Sequence, residues 1–106
     1  MKGVKLFVSW LPSSGMAVFP FLLFRKKDLP LHARLLNHER IHLRQQVELL
    51  VIPFYIWYLL EYLFYRLKGK NHYRAYRSIR FEREAYAHDA DAEYLKKRKT
   101  WAFLSA

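Results

Sequence analysis

Two apolar runs occupy the N-terminal quarter of the chain. Residues 4–11 are rich in β-forming side chains and end at the turn signal Pro12-Ser13-Ser14-Gly15, and a second run extends from Met16 to Phe24. This pattern predicts a β-hairpin over residues 4–24. Pro20 interrupts the second run, and because proline cannot donate to a ladder, that strand should be an edge strand or should bend there. It is either a plain core strand or a rail on which an extended substrate could pair.

A helical pattern begins after the charged run at residues 25–27. Asp28 is suited to the N-cap position and Pro30 to the first turn. Apolar side chains then recur at helical spacing, and Arg40, Arg44, Gln45 and Gln46 give the helix a polar side. The pattern predicts an amphipathic helix over residues 29–50. Its apolar positions are Leu35, Leu36, Leu43, Val47 and Leu50.

The segment from Val47 to Tyr65 is almost wholly apolar and predicts a helix over residues 51–67 that Pro53 kinks or separates from the preceding one. A bilayer span needs about 20 apolar residues, whereas the uninterrupted centre from Leu49 to Leu60 is shorter. We therefore favour a membrane-associated helix or re-entrant hairpin, followed by a core helix of a soluble domain and then by a true span.

A third helix is expected over residues 73–99, where no Gly or Pro occurs. Arginines recur in it every three residues among tyrosines, which is typical of a phosphate-tracking surface or, more often, of a basic face exposed to solvent or lipid. They are Arg74, Arg77, Arg80 and Arg83. Together these elements predict a mainly α fold with a short N-terminal β-hairpin (α+β), forming a single domain over residues 1–106.

The amino-acid composition excludes several classes of site and favours certain partners. The 106 residues include no Cys, which excludes a disulfide framework, a Cys-type zinc finger and thiol catalysis. Nineteen Lys and Arg against nine Asp and Glu give a net charge of +10, and aromatic residues make up 18%. This combination favours an anionic membrane surface as a partner and makes nucleic acid the weaker alternative. The N-terminus lacks the cleavage pattern of a signal peptide, so we expect a cytoplasmic protein, or one on the cytoplasmic face of the membrane, that is not secreted.

The predicted helix over 29–50 contains His38-Glu39-Arg40-Ile41-His42, an HExxH pattern. Residues four apart lie about 40° apart on a helix, so both imidazoles can reach one metal ion. Glu39 lies on the flank, where its carboxylate could take a proton from a metal-activated water. Without Cys, the available ligands are His and carboxylate, a set more typical of catalytic than of structural zinc. We therefore predict one Zn²⁺ ion held in part by His38 and His42.

A catalytic zinc needs a third protein ligand, and two carboxylates in the third helix are candidates. On helix geometry alone Glu84 is slightly preferred, because Glu82 lies farther from the apolar stripe. However, Phe81-Glu82-Arg83-Glu84-Ala85-Tyr86 resembles the ExxAD element of gluzincin metallopeptidases. The resemblance implies that Glu82 is the third ligand and Ala85 the family's Ala, with Glu84 as the rival. Tyr86 stands where the family has Asp, and Asp89 is a candidate replacement for that second-shell carboxylate.

The run HERIHLRQQ is also similar to the HExxHxxRxD helix of beta-lactam-sensor membrane metallopeptidases, with Arg44 offset by one position and Gln46 in place of the Asp. These resemblances imply a minimal zincin-like helical domain that hydrolyses peptide bonds of a peptide or protein substrate near the membrane surface. Glu39 would be the base, and Tyr86 or His88 would steady the oxyanion. The alternative is a non-catalytic, membrane-associated metal-binding or interaction protein that keeps a degenerate peptidase scaffold.

Overall fold

The computed structural model describes residues 3–26 and 30–106, and its mainly α fold with a small N-terminal sheet confirms the predicted class. The strands are β1 (Val4–Val8), β2 (Gly15–Val18) and β3 (Phe21–Arg25). The helices are α1 (Ala33–Leu49), α2 (Val51–Leu67), α3 (His72–Ser78), α4 (Arg80–His88) and α5 (Tyr94–Lys97), followed by a 3₁₀ turn at Ala102–Ser105.

The sheet has three strands in the order β1-β3-β2, so the two-strand hairpin predicted over 4–24 is wrong in detail. The second apolar run divides into β2 and β3, which pair antiparallel, and β1 joins β3 in parallel. Pro20 lies between β2 and β3, because its missing N–H is best tolerated outside a ladder. The central strand β3 is buried through Leu22 and Phe24 against Ala17 and Leu43. Strand β2 therefore forms the edge of the sheet on its side of β3.

Helix α1 begins at Ala33 and ends at Leu49, within the predicted span of 29–50. The predicted N-cap, Asp28, lies outside the described residues. The chain turns at Leu50, where φ is 70°, and α2 leaves at 111° to α1. Pro53 lies in the first turn of α2, where a backbone N–H lacks an intrahelical partner in any case. The break between the two helices thus precedes the proline.

The described helices differ in whether they are long and apolar enough to cross a membrane when taken singly or as a pair. Neither α1 nor α2 nor any other single described helix combines the length and hydropathy of a bilayer span. The bent pair formed by α1 and α2 does so when the two are taken together, on length and composition alone.

The single helix predicted over 73–99 is wrong, because that stretch forms α3, α4 and α5. Ile79 has an extended backbone (φ −59°, ψ 132°) between α3 and α4. Ile79 and Phe81 are both fully buried with Phe54 and Phe103. Residues two apart point to different sides of a continuous helix, so the break at Ile79 lets both side chains enter the same cluster.

The turn at Leu50 generates a stability prediction. Its φ of 70° with ψ of 157° is a conformation that only glycine adopts without strain, at a cost of about 1–3 kcal/mol for other residues. Leu50 is 69% exposed, so its side chain contributes little burial. We expect Leu50→Gly to raise the free energy of unfolding by about 1 kcal/mol, because relief of strain outweighs the entropy of glycine in the unfolded chain.

Urea unfolding of the wild type, Leu50→Gly and Leu50→Ala provides the measurement. Leu50→Ala keeps the strained backbone and serves as the control, so it should not share the gain. A glycine variant no more stable than the alanine variant would contradict the strain at Leu50.

Candidate metal centre

Two histidines from α1 and one carboxylate from α4 converge in the interior. The Nε2 atoms of His38 and His42 lie 3.2 Å apart, and each is 3.0 Å from Oε1 of Glu82. Residues four apart on α1 supply the two imidazoles, and packing of Ile41 against Ala85 holds α1 against α4. All three side chains are buried. The structure thus brings together the three residues that the sequence proposes as metal ligands.

The far side of each imidazole fixes where its hydrogen lies. Nδ1 of His38 is 2.8 Å from a carboxylate oxygen of Asp89, and Nδ1 of His42 is 2.8 Å from Oε1 of Gln45. The amide of Gln45 cannot be reversed without loss, because its Nε2 donates to the Phe81 carbonyl and to Glu84. Both Nδ1 atoms therefore face acceptors and carry the hydrogen.

In the neutral rings, the two Nε2 lone pairs then converge with Oε1 of Glu82. Three acceptors at 3.0–3.2 Å without a hydrogen between them repel one another, and a cation at their centre relieves this. A tetrahedral zinc site with Zn–N bonds of about 2.0–2.1 Å places its nitrogen ligands about 3.3 Å apart, close to the spacing here. The buried cluster could therefore hold a metal ion.

The electrostatics of the metal-free cluster agree with this. Burial alone would lower the pKa of the His42 imidazole, but the Glu82 carboxylate outweighs it and raises that pKa to about 9. Burial would raise the pKa of Glu82, yet His42 and His38 hold it well below its usual range. Tyr58 donates to the second oxygen of Glu82 at 2.7 Å. Without a metal, a proton on His42 supplies the positive charge that the site requires.

Asp89 is the outer partner of His38. Its second oxygen accepts a hydrogen bond from Nε of Arg34 at 2.7 Å, which fixes the carboxylate from the opposite side. Asn37 donates to the carbonyls of His88, Asp89 and Asp91, so α1 also holds the chain that carries Asp89. A carboxylate behind a metal-binding histidine orients the ring and raises its basicity. Asp89 thus lies behind His38, where the sequence analysis expects a carboxylate.

Glu84, the rival third ligand, points into a separate buried network. It accepts hydrogen bonds from Gln45, from the Tyr94 hydroxyl at 2.7 Å and from Arg98. Arg98 also pairs with Glu48 at 2.7 and 3.0 Å. The carboxylate of Glu84 is therefore already balanced by a buried guanidinium, and it lies outside the metal-competent cluster.

Glu39 lies beside the cluster, next to the edge strand β2. Burial raises the pKa of its carboxyl, and the nearby His42 and His38 offset this only in part. A Cβ on Gly15 would lie 3.1 Å from the Glu39 side chain, so the absence of a side chain at Gly15 makes room for it. A carboxyl with a raised pKa holds a proton more readily than an exposed carboxyl does, which is common among groups that exchange protons in active sites.

The cluster opens onto a cavity of about 860 Å³. Strand β2 lines this cavity together with tyrosines from α2, α3 and α4. The lining side chains include His38, Glu39, His42, Glu82, Tyr55, Tyr58, Tyr73, Tyr76 and Tyr86. A pocket of this size, mostly apolar with a few convergent polar groups, has the character of a small-ligand or peptide site.

Tyr86 lines the cavity with its ring 4.5 Å from the His38 ring, but its hydroxyl is bonded to that of Tyr76 at 2.9 Å. The structure does not bring His88 to the cavity, because its ring stacks on Tyr94 at 3.9 Å.

Tyr58 and Gln45 contact the candidate ligands but are not predicted by the sequence analysis. Tyr58 was hidden in an apolar run interpreted as membrane-associated, whereas the i, i+3 spacing of His42 and Gln45 was an available signal.

Comparisons with protein-family models, with curated proteins and with solved structures return no match to this chain.

The pairing of His42 with Glu82 predicts a pH dependence of the metal-free protein. A folded-state pKa of about 9 against an ordinary value of 6.5 stabilises the fold fully below pH 6.5, and this contribution is lost as the pH rises through 9. We expect the advantage in unfolding free energy of the wild type over His42→Gln to shrink by about 1–3 kcal/mol between pH 6 and pH 9.5.

Urea unfolding at the two pH values in the presence of a chelator measures this difference. His32→Gln is the control, because His32 is exposed and lies outside the cluster. An advantage over His42→Gln that stays constant across this range would contradict the assigned pairing.

Proposed function

We propose that the chain is a zinc-dependent, metallopeptidase-like hydrolase that acts on peptide bonds near a membrane surface. The observation that carries the proposal is the set of three convergent acceptors, His38, His42 and Glu82, which opens onto a cavity with Glu39 at its side. A structural metal would need a closed shell, whereas three protein ligands facing a cavity leave a fourth position for water or substrate.

Zinc is the metal we propose, because two imidazoles and one carboxylate form a known catalytic zinc set. When bound, zinc would polarise a substrate carbonyl and lower the pKa of water to about 7. Asp89 and Gln45 orient the two imidazoles, and Tyr58 orients Glu82. All three ligands thus have an outer partner, which is the usual arrangement around functional metals.

Glu39 is the proposed general base. Its raised pKa allows it to accept a proton from water and to pass it to the leaving amine. In the same cavity, the hydroxyls of Tyr76 and Tyr86 form a pair, and the guanidinium of Arg77 lies 3.6 Å from the centre of the Tyr86 ring. A tyrosine hydroxyl of this pair would donate to the oxygen that becomes negative during attack, with Tyr86 as the primary candidate.

The edge strand β2 is the proposed rail for an extended peptide. Gly15, Met16 and Ala17 pair with β3 on one side of β2, and all three line the cavity. The Ala17 carbonyl is already bonded to Gln46 and Tyr55, so pairing with a peptide would use the backbone around Gly15. Main-chain pairing of this kind suits substrates whose extended backbone is recognised more than any single side chain.

Metal content and the role of Glu39 test this proposal together. We expect one zinc ion per purified chain, with affinity lowered more than about 100-fold in His38→Ala, His42→Ala and Glu82→Gln, because loss of an outer partner alone costs 10–100-fold. Glu39→Gln should keep its zinc and lose hydrolysis of a quenched-fluorescent peptide library by about 10²- to 10⁴-fold. Metal analysis of dialysed protein and initial rates are the measurements.

His32→Ala is the matched control for the ligand variants, because His32 is exposed and outside the cluster. Circular dichroism at constant temperature separates ligand loss from unfolding. A wild-type chain that neither contains zinc nor binds it when added would refute the metal centre. Zinc binding with peptide cleavage unchanged in Glu39→Gln would refute the role of the base.

We also propose that the chain works at the cytoplasmic face of an anionic membrane, through α2. Seven large apolar side chains lie exposed within about 140° of arc on this helix. They are Ile52, Ile56, Leu59, Leu60, Leu63, Phe64 and Leu67. Cations follow at its C-terminal end, where Lys68 lies 4.9 Å from the ring of Phe64. An apolar face bordered by basic residues is typical of helices that lie in the interface of anionic bilayers.

Vesicle co-sedimentation tests the α2 surface. Leu60→Gln/Leu63→Gln should weaken binding to vesicles containing phosphatidylserine by at least about tenfold, because two apolar side chains no longer enter the acyl region. Val47→Gln/Leu104→Gln is the control, since both residues are exposed and apolar but lie outside α2. Equal effects of the two pairs, or wild-type protein that stays in the supernatant, would contradict docking through α2.

The alternative is a non-catalytic, membrane-associated metal-binding or interaction protein. The hydrogen bond between the Tyr86 and Tyr76 hydroxyls favours it, because one hydroxyl hydrogen of this pair is already used within the cavity wall. Under this alternative, zinc binds, the wild type cleaves no peptide of the library, and Glu39→Gln leaves the metal content unchanged.

A further inference from the structure

A second depression, separate from the metal centre, gathers four cations. It has a volume of about 350 Å³ and is bounded by α3, by the end of α2 and by α4. The break at Ile79 turns α4 back, so that Arg83 lies at the same depression as Arg74 and Arg77. The lining side chains are Lys70, Arg74, Arg77 and Arg83 with Ser78, Tyr65 and Tyr73. We call this set the basic pocket.

Where the cations of the basic pocket contact other side chains of the described residues, those side chains are neutral. Lys70 donates to the Ser78 hydroxyl at 3.1 Å and lies 5.2 Å from the ring of Tyr65. Arg77 donates to the Tyr73 hydroxyl at 3.2 Å and packs on Tyr86. These contacts position the donors but leave their charge intact.

Carboxylates elsewhere are already engaged. Of the nine acidic residues, Asp28 lies outside the described residues and Glu39 is buried beside the metal centre. The other seven are paired with a cation or with a histidine of the centre, away from the basic pocket. They are Glu48, Glu61, Glu82, Glu84, Asp89, Asp91 and Glu93. Arg80, the remaining arginine of the series, is bound by Glu61 and does not join the pocket.

Four like charges around a depression of this size repel one another, and no described carboxylate offsets them. We propose that the basic pocket is a binding site for a phosphate group. Three guanidinium groups supply paired donors that match the oxygens of a phosphate, and the Lys70 ammonium supplies further N–H donors. The concave shape suits a single phosphate group better than an extended polyanion, which would need a groove.

The phosphate site does not depend on the hydrolase activity or on zinc. Tyr73 lines both the basic pocket and the large cavity, so a bound phosphate lies next to the tyrosine wall of that cavity. Two sources have the required chemistry, a soluble phosphate compound and the headgroup of an anionic phospholipid. The helix α2, which carries the exposed apolar face, also contributes Tyr65 to the pocket.

Titration with inorganic phosphate tests the site directly. Calorimetry and ¹H–¹⁵N NMR of the full chain, at constant ionic strength set with sodium chloride, should show saturable binding with shifts centred on Arg74, Arg77 and Ser78. Arg74→Gln/Arg83→Gln should weaken this binding about tenfold or more, as expected for two lost charge-assisted contacts. Lys5→Gln/Lys99→Gln removes the same charge from exposed positions outside the pocket and should leave binding unchanged.

Vesicles of phosphatidylcholine with and without phosphatidic acid distinguish the two sources. Loss of phosphate binding together with loss of preference for phosphatidic acid in Arg74→Gln/Arg83→Gln assigns the pocket to a lipid headgroup. Loss of phosphate binding alone assigns it to a soluble phosphate compound, and both results support the site. Absence of saturable phosphate binding by the wild type, an equal loss in the Lys5/Lys99 control, or binding retained in Arg74→Gln/Arg83→Gln would overturn it.

Discussion

The buried contact between α1 and α4 is the interaction on which the rest of the structure depends. Two acidic residues of α4, Glu82 and Glu84, lie at this contact. They are only two positions apart, but their carboxylates have different partners. Glu84 is paired with the buried Arg98, which the chain supplies from beyond α5. Glu82 faces only histidines and a tyrosine among the described residues. Because a buried charge needs a compensating one, the first pair is complete within the chain, whereas the second requires a proton or a metal ion.

The two networks are joined by Gln45. Its amide nitrogen donates to Glu84 and its amide oxygen accepts from His42, so the pair formed by Glu84 and Arg98 also sets which way the His42 ring presents its hydrogen. Glu48 extends the same network to the C-terminal segment through Arg98 and the Trp101 backbone. Satisfied buried networks of this kind specify one arrangement of side chains. The metal-competent geometry is therefore held by residues that do not touch the metal position.

The sequence predicts this centre only in part, for physical reasons. The spacing of His38 and His42 is a local property of one helix, so it can be read directly. The choice between Glu82 and Glu84 depends on how α4 is rotated, and the break at Ile79 resets that rotation in a stretch without Gly or Pro. Burial of Ile79 and Phe81 in one cluster overrides local helix propensity. Tyr58 reaches the centre only through tertiary packing, which no periodicity encodes.

The short sheet also has a defined role, because it places a wall beside the carboxyl of Glu39. Strand β2 is an edge strand since Pro20 ends it early and β3 takes the central position. Gln46 and Tyr55 bind the Ala17 carbonyl, so α1 and α2 hold that edge at a fixed distance. Gly15 then lies against Glu39, where any side chain would crowd the carboxyl. The desolvation that raises the pKa of Glu39 thus follows from strand order, and the proposed base is a product of the fold as much as of its own helix.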